Sequence, residues 1–407
     1  MSPPALPESC DVLVVGAGPA GSACATALAR AGRDVVLVDA QAFPRDKVCG
    51  DGLIPDAHRA LQRLGLAGEV MAAARSARHV GCIGPRGGRI DVPGRLAVLP
   101  RRMLDDIVKR GAERSGACFF APWRFEAPLE DGGRVIGARL KQGDQRRALH
   151  ARWTVLATGA VPQALLAAGM CERQTPSGIA LRGYVHNPAM RGRIEALEVV
   201  WHKRLRKGYG WIFPCPDDTF NVGVGLAHSH AKGSDGHATM ADVNLREMFA
   251  AFAEVYAPAR ELLAGGTWLG AMKGAPLRCS LDGAKLARPG LLVTGEAAGS
   301  TYAFTGEGIG KALETGLLAA DALLADDIDD ALMARYQTSI AALKPRFDLY
   351  ERANRVNDHP WLADLLIWRA NHSPRILRRM EGVLEETGNP GHLVSLRGLT
   401  KLFLPIP

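Results

Sequence analysis

The sequence predicts an α/β protein: a Rossmann-like nucleotide-binding domain, an inserted antiparallel-sheet domain and a helical C-terminal region. Strand, helix and strand patterns follow each other over residues 10–40, around a glycine-rich turn. Short alternating strands dominate residues 166–285, and residues 329–407 have mostly helical patterns. A buried-strand pattern returns at 291–294, which predicts that the nucleotide-binding domain is discontinuous.

The glycine-rich turn has the pattern of a dinucleotide-binding site. Gly16, Gly18 and Gly21 form G-x-G-x-x-G between an apolar strand and a helix, and Asp39 closes the next apolar strand. In this context the glycines allow a tight turn and close backbone approach, the helix N-terminus faces phosphates, and the acid accepts hydrogen bonds from a ribose. The predicted contacts are Gly16, Gly18, Pro19, Ala20, Gly21, Asp39 and Ala40.

The remaining elements follow from periodicity and turn residues. A helix from Arg101 to about Ser115 is followed by Gly116, as a helix C-terminus favours, and Asp131-Gly132-Gly133 marks a hairpin. Helices are also predicted at 56–74, 240–256 and 307–325, and strands at 117–129, 134–141, 153–157, 179–186, 195–203, 209–213 and 220–226. The predicted domains are nucleotide-binding (1–75, 100–165, 286–328), antiparallel sheet (76–99, 166–285) and helical cap (329–407).

Composition excludes several classes of function. The eight cysteines form no C-x-x-C pair, which argues against a zinc site or a disulfide framework and favours a reducing cytoplasm. No metal site is predicted. The net charge of +8 permits anionic partners or an anionic membrane surface, but no motif interleaves aromatic and basic residues, so nucleic acid is not expected. No apolar stretch is long enough to span a bilayer, and the start has no secretory pattern.

Two further segments have the features of nucleotide contacts. Gly295-Glu296-Ala297-Ala298-Gly299 follows a buried strand, and Thr305-Gly306-Glu307-Gly308-Ile309 leads into a helix. They resemble the G-D-A-A-G and P-x-T-G-E-G-I segments of the flavin-binding fold shared by aromatic hydroxylases and geranylgeranyl reductases. The resemblance implies that Gly295 and Glu296 hold the ribityl chain and that Gly306, Gly308 and Ile309 lie against the flavin ring. Glu296 replaces the family's aspartate, and Ala303 replaces its proline.

A third resemblance concerns the helix start Arg101-Arg102-Met103-Leu104-Asp105, which is similar to the family's R-x-x-(F/L)-D. We assign Arg102 to a flavin phosphate or ribityl oxygen, with Arg101 as the neighbouring alternative. Three segments of this kind favour FAD over NAD alone. Ala157-Thr158-Gly159-Ala160 resembles the start of the family's A-D-G-x-x-S segment, without its Asp and Ser, and Gly159 is a further predicted cofactor contact.

Two segments narrow the chemistry. Lys47-Val48-Cys49-Gly50-Asp51-Gly52-Leu53 resembles the K-x-C-G-(G/D)-G-L segment of geranylgeranyl reductases, which implies that Arg45, Lys47, Cys49 and Gly50 lie near the cofactor. Tyr209-Gly210-Trp211-Ile212-Phe213-Pro214 resembles their Y-x-W-x-F-P motif. In a strand the three rings lie on one face, where they either wall an apolar pocket or fill the core. Gly208 and Gly210 indicate close approach of a backbone or a ligand. The predicted substrate pocket comprises Tyr209, Trp211, Phe213, Tyr302 and Phe304.

The resemblance implies an FAD-dependent reductase of carbon–carbon double bonds in an apolar, prenyl-type substrate. Tyr209 and Cys49 are the candidate proton donors, and NAD(P)H or a ferredoxin-type donor supplies electrons. The alternatives are a flavin monooxygenase acting on an aromatic or polyketide-like molecule, and a flavin-binding protein without turnover. Trp361 to Trp368 and the arginines 375, 378 and 379 form a lid, a peripheral membrane contact or a packed cap. The oligomeric state stays open.

Overall fold

The fold is seen in a computed structural model that describes residues 5–205, 207–227, 230–232, 238–240, 243–325 and 328–389. Its strands are β1 (Ser9–Val15), β2 (Val35–Val38), β3 (Gly52–Leu53), β4 (Arg75–Ile83), β5 (Arg89–Val98), β6 (Cys118–Phe120), β7 (Arg124–Asp131), β8 (Arg134–Gln142), β9 (Gln145–Leu156), β10 (Gly178–His186), β11 (Leu197–Val200), β12 (Gly208–Pro214), β13 (Thr219–Ala227), β14 (His230–Lys232), β15 (Ala238–Met240), β16 (Thr267–Trp268), β17 (Lys273–Leu277), β18 (Ala287–Arg288) and β19 (Leu291–Val293).

The helices follow the same order along the chain. They are α1 (Pro19–Arg30), α2 (Pro55–Arg63), α3 (Ala67–Ala73), α4 (Arg101–Arg114), α5 (Gln163–Ala167), α6 (Leu245–Val255), α7 (Ala257–Ala264), α8 (Ile309–Leu324), α9 (Asp329–Ala341), α10 (Lys344–Ala353), α11 (Arg355–Asp358), α12 (Trp361–Asn371) and α13 (Pro374–Leu384). Short 3₁₀ helices occur at Pro188–Met190, Lys203–Leu205 and Gly295–Ala298.

A mainly parallel sheet carries the predicted nucleotide-binding turn. Its strand order is β18-β19-β9-β1-β2-β6, and β1 pairs in parallel with both β2 and β9. Helices α1 and α8 pack together beside it. Gly21 is required at the start of α1, because a Cβ there would lie 1.8 Å from the Gly16 carbonyl oxygen. The β1–α1–β2 prediction is therefore correct in its elements and in the tightness of its turn.

A second, mainly antiparallel sheet has the order β16-β10-β13-β12-β11-β4-β5-β3. Helix α6 covers one face of it, and the rings of Phe249 and Phe252 belong to the core between them. Gly208 and Gly210 of β12 lie on this helix side: an added Cβ would come within 2.0 Å of the Gly225 carbonyl oxygen and 2.4 Å of the Phe252 ring, respectively. These two glycines thus allow close packing by the protein itself. Tyr209, which lies between them, and Trp211 and Phe213, which follow Gly210, face the opposite side of the sheet.

Several predicted boundaries were wrong, and three of them have a clear local reason. The 56–74 helix is two helices, because Gly65 adopts a positive φ of 67° between α2 and α3. The strand predicted at 153–157 is only the end of β9, whose first half is an exposed hairpin arm with few apolar residues. The helix predicted from 240 begins at Leu245, where the Asn244 side chain caps it by accepting the N–H groups of Arg246 and Glu247.

The C-terminal helices pack on both parts of the fold. Helix α9 packs against α8, whereas α12 and α13 pack against β5. Leu366 and Ile367 of α12 share a buried cluster with Val92 and Leu96 of β5. The cap therefore also covers the second sheet. Among the described residues, no helix is long and apolar enough to cross a membrane, and no His, Cys, Asp and Glu side chains gather in a metal-binding group.

Candidate functional site

A continuous cavity of about 800 Å³ lies between the two sheets. One end is formed by the start of α1 and the end of β2, where Gly16, Gly18 and Asp39 line it. The other end is formed by the second sheet and the cap, where Trp201 and Ile367 line it. The chain therefore joins a nucleotide-type site to an apolar chamber.

Two arginines face the glycine-rich turn: Arg101 is buried and Arg45 is partly buried. The Arg101 guanidinium donates to Asp105 at 2.6 and 2.8 Å, and Arg45 donates to the same carboxylate at 2.9 Å. Burial opposes the charge of Arg101, but Asp105 raises the pKa of its guanidinium. A Cβ on Gly18 would lie 3.6 Å from Arg45 and 3.9 Å from Arg101. Two fixed cations beside a helix N-terminus suit a pyrophosphate, so these residues fit the FAD that the motifs predict.

Hydrogen bonds fix the orientation of the Asp39 carboxylate at the end of β2. Its Oδ2 accepts the Ala17 N–H at 2.9 Å and its Oδ1 accepts the Gln41 N–H at 2.9 Å. Arg45 also reaches Oδ2 at 3.3 Å. The carboxylate is oriented by these donors, lines the cavity and keeps acceptor capacity for a ribose hydroxyl.

The middle of the cavity brings the remaining cofactor segments together. Lys47 pairs with Glu296 at 2.9 Å, which links the Cys49 loop to the 3₁₀ helix Gly295–Ala298. The Tyr209 hydroxyl donates to the Thr305 carbonyl at 2.6 Å and so pins the segment that contains Gly306 to β12. Burial raises the pKa of Tyr209. An ion pair therefore joins the Cys49 loop to the Gly295–Ala298 segment, and a hydrogen bond joins the Gly306 segment to the aromatic strand β12.

Five aromatic rings form the wall of the apolar end. Trp211 lies between Tyr209 and Phe213, with ring centroids 6.2 and 6.5 Å apart. Trp201 stands 6.2 Å from Tyr209 and stacks on Phe304 at 6.4 Å. Aliphatic side chains of β4, β5, β11 and the cap complete the chamber. Such a surface binds apolar molecules by removing their surface from water.

Two acids with raised pKa values line the same cavity. Asp51 is fully buried and accepts from the Tyr184 hydroxyl at 2.6 Å and the Asn221 amide at 2.7 Å, and burial raises its pKa to about 6. Glu307 accepts from the Thr305 hydroxyl at 3.0 Å, and burial, with the nearby Asp56 carboxylate, raises its pKa to about 8. Glu307 therefore carries a proton at neutral pH beside the cavity.

Comparison with known proteins assigns the family. Residues 9–187 match the FAD binding domain family. The menaquinone reductase of Mycolicibacterium smegmatis is 34% identical over 336 residues, covering 79% of this chain and 78% of the relative. This chain belongs to the geranylgeranyl reductase-like family of FAD-dependent oxidoreductases.

A more distant relative and a solved structure are also similar to this chain. The digeranylgeranylglycerophospholipid reductase 1 of Methanopyrus kandleri is 29% identical, over 80% of this chain and 84% of the relative. A geranylgeranyl bacteriochlorophyll reductase-like structure from Thermoplasma acidophilum superposes with a TM-score of 0.71 at 21% identity, over 97% of this chain and 96% of the other. The fold class and the FAD-binding domain predicted from the sequence are thereby confirmed.

Most of the residues predicted for this flavoprotein's site line the cavity. Their functional roles remain predictions, but their side chains or backbone atoms line the cavity in the structure. The lining residues are Gly16, Gly18, Pro19, Ala20, Asp39, Ala40, Arg45, Lys47, Cys49, Gly50, Gly159, Glu296, Gly306, Gly308, Ile309, Tyr209, Trp211, Phe213 and Phe304.

Arg102 lies away from the cavity. It is exposed, whereas Arg101 is buried and lines the cavity. The spacing R-x-x-L-D in fact begins at Arg101, and one residue turns a helix position by about 100°. The alternative arginine therefore occupies the predicted place.

Three other predicted residues also lie off the cavity lining. Tyr302 stacks on Tyr350 with centroids 3.9 Å apart and donates to Glu386 at 2.6 Å, so its ring belongs to the cap interface. Gly21 packs under the Gly16 turn, and Gly295 packs against Ala20 of α1. These glycines shape the cofactor site through backbone packing.

Sequence reasoning missed Trp201, Asp51 and Glu307 as parts of the site. Trp201 follows β11 and reaches the other rings only because β11 pairs with β12. Asp51 and Glu307 belong to the motifs described above. Burial in the folded protein raises the pKa of both carboxyls, and a sequence motif does not show that burial. A positive φ of 68° at Asp51 was not visible in the sequence either.

Loss of the Asp39 carboxylate is expected to weaken FAD retention. Asp39→Ala removes a charge-assisted acceptor at the ribose position, which costs roughly 1.5–3 kcal/mol of FAD binding free energy. Equilibrium dialysis followed by flavin absorbance measures the change. Asp34→Ala, at an exposed residue just before β2, is the control and keeps normal affinity. Full flavin occupancy of Asp39→Ala at low enzyme concentration contradicts the assignment.

Proposed function

We propose that this enzyme reduces carbon–carbon double bonds of an apolar, prenyl-type substrate with electrons from reduced FAD. The observation that carries the proposal is the cavity itself, which runs without interruption from the cofactor residues to an aromatic and aliphatic chamber. Relatives named for menaquinone reduction and for digeranylgeranylglycerophospholipid reduction support the same substrate class.

The apolar chamber binds and orients the substrate. Trp201, Trp211 and Phe213 offer flat ring surfaces to an isoprenoid chain, and the cap residues Leu366 and Ile367 close the chamber against water. The Trp211 ring is fixed because its Nε1 donates to Asn221 at 2.9 Å. Reduced FAD, when bound, would supply a hydride for one alkene carbon, so the protein has to provide a proton for the other.

We propose Glu307, which lines the cavity, as the proton source. The Tyr209 hydroxyl is committed to the Thr305 carbonyl at 2.6 Å, and burial raises its pKa, so it gives up its proton poorly. Cys49 lines the cavity beside Arg101 and remains a second candidate. The Glu307 carboxyl has a pKa raised by burial to about 8, so at neutral pH it is protonated and still acidic enough to donate.

The electron donor is proposed to be NAD(P)H or a ferredoxin-type protein that binds transiently. The sequence has no second G-x-G-x-x-G for a separate nicotinamide domain. Stopped-flow reduction of the FAD-loaded enzyme by NADPH, NADH or reduced ferredoxin distinguishes these donors.

Anaerobic single turnover tests the proposed reaction. The FAD-loaded enzyme is reduced with dithionite under nitrogen and mixed with a prenyl quinone or prenyl alcohol. We expect flavin reoxidation at the rate at which a product with two added hydrogen atoms forms, as measured by mass spectrometry. A reduced flavin that is stable to these alkenes, but inserts oxygen into an aromatic substrate once air is admitted, overturns the proposal in favour of a monooxygenase.

A further inference from the structure

Helix α12 has one face that lines the cavity and an opposite face that is exposed. Ala363, Leu366 and Ile367 line the apolar end of the cavity. Trp361 and Trp368, two turns apart on the opposite side, are 59% and 50% exposed. At 3.6 residues per turn these sets lie on opposite sides of the helix. Two large aromatic side chains are thus presented to the outside by the same helix that walls the chamber.

Helix α13 also has a cavity side and an outer side, and its outer side carries positive charge. It packs beside α12 and on β5, and its inner residues Met380 and Leu384 line the cavity. Arg375, Arg378 and Arg379 are exposed on its other side, and within the described residues no carboxylate pairs with them. Because both helices cover the same strand, their outer sides point away from it together.

The acidic residue of α12 faces away from this arginine group. Asp364, the acidic residue of α12, is 17% exposed at its side chain and is turned toward Arg86 in the β4–β5 turn. The side chain of Arg86 is itself 91% exposed. Exposed tryptophans flanked by arginines are the pattern of a surface that lies on an anionic bilayer, where the rings enter the interface and the guanidinium groups meet lipid phosphates.

We propose that the outer face of α12 and α13, called here the cap face (Trp361, Trp368, Arg375, Arg378 and Arg379), docks on an anionic lipid membrane. The docking places the apolar end of the cavity next to the bilayer, one helix away from the lipid. Resting on the proposed function, the cap face explains how a protein with no membrane-spanning helix among its described residues collects a substrate dissolved in lipid.

Vesicle flotation tests the cap face with the full-length, FAD-loaded enzyme. We expect binding to phosphatidylcholine vesicles that contain phosphatidylglycerol, weak binding to phosphatidylcholine alone, and loss of binding as salt is raised. Trp361→Ser/Trp368→Ser is expected to lower the partition coefficient by about tenfold or more. Arg375→Gln/Arg378→Gln/Arg379→Gln is expected to lower it by about a hundredfold at low salt.

The control variants carry the same types of substitution, Trp to Ser and Arg to Gln, at surfaces away from the cap face. Trp268→Ser alters another exposed tryptophan, on β16, and Arg139→Gln/Arg147→Gln/Arg246→Gln removes three exposed arginines elsewhere. Both controls are expected to bind vesicles as the unaltered enzyme does. Thermal unfolding of every variant verifies that the fold is retained.

The outcomes separate docking from catalysis. If the unaltered enzyme ignores anionic vesicles, or the cap-face variants bind as it does, docking is wrong whatever the enzyme reduces. If sedimentation velocity shows that Trp361→Ser/Trp368→Ser converts a dimer to a monomer, the face is a contact between copies and the proposal also fails. Vesicle binding without any reduction of a short, water-dispersed prenyl alcohol refutes the proposed function and leaves docking standing.

Discussion

Glu307→Gln is expected to lower the rate of alkene reduction by about a hundredfold to ten-thousandfold while FAD remains bound. The substitution keeps the shape of the side chain and the acceptor oxygen for the Thr305 hydroxyl, but it removes the acidic proton. Single-turnover flavin reoxidation measures the rate, and the visible spectrum reports FAD occupancy.

The pH dependence of the unaltered enzyme should have a definite sign. Burial raises the pKa of Glu307 from 4.5 to about 8, so the carboxyl is protonated at pH 7 and ionised above about pH 8. The rate of alkene reduction is therefore expected to be constant below this pKa and to fall as pH rises through it. Glu307→Gln lacks the titrating group and should show a low rate without this fall.

Two control variants decide between Glu307 and the proton donors predicted first. Tyr209→Phe removes the hydroxyl that pins Thr305, and Cys49→Ser replaces the thiol beside Arg101. We expect each to retain most of the rate and the fall near pH 8. If Tyr209→Phe abolishes that fall while Glu307→Gln keeps it, the tyrosine is the donor and our assignment is wrong.

Glu386→Ala is expected to lower the free energy of unfolding by about 3–5 kcal/mol. This carboxylate follows α13, and its side chain is only 3% exposed. It accepts from Tyr302 at 2.6 Å, from Lys311 at 2.9 Å and from two arginines, Arg59 at 2.8 Å and Arg346 at 3.2 Å. Burial opposes its charge, but Lys311 and the other donors hold the pKa of the carboxyl below its usual range.

The cost is large because Lys311 is also buried. With 2% of its side chain exposed, it would keep only Asp56 at 3.8 Å and the half-exposed Glu314. Glu385→Ala is the matched control: the neighbouring carboxylate is 38% exposed and lies 3.8 Å from Arg59, so its removal should cost about 1 kcal/mol or less. Denaturant titration followed by tryptophan fluorescence measures both. Equal losses for the two variants would contradict the anchoring role of Glu386.

Local patterns predicted the parts of this molecule whose geometry is local. The Gly16–Gly21 turn, its two strands and Asp39 follow from adjacent residues, and the period of a strand places Tyr209, Trp211 and Phe213 on one face. The strand period does not decide which side of the sheet they face, because an aromatic strand face also suits a core. Helix α6 packs on Gly210 through Phe252 and occupies the other side of the sheet, so the three rings face the cavity.

The unpredicted parts depend on contacts between distant segments. Tyr302 turned away from the cavity because Tyr350 and Glu386, both from the cap, offered a stacking partner and an acceptor. Glu307 acquired its pKa from burial beside Asp56, which is far away in sequence. Arg101 and Arg102 differed by a single helix position, which a motif with two adjacent arginines does not resolve.

The shared walls of the cavity also bear on how such an enzyme changes over evolution. Asp39, Arg45 and Arg101 stand at one end, whereas α12 and α13 wall the other. Insertions, deletions or recombination affecting α12 and α13 would therefore alter which molecules are accepted without touching flavin affinity. Exchanging residues 361–384, which span α12 and α13 and leave Glu386 in place, between relatives is a direct way to redirect specificity while the redox machinery is inherited intact.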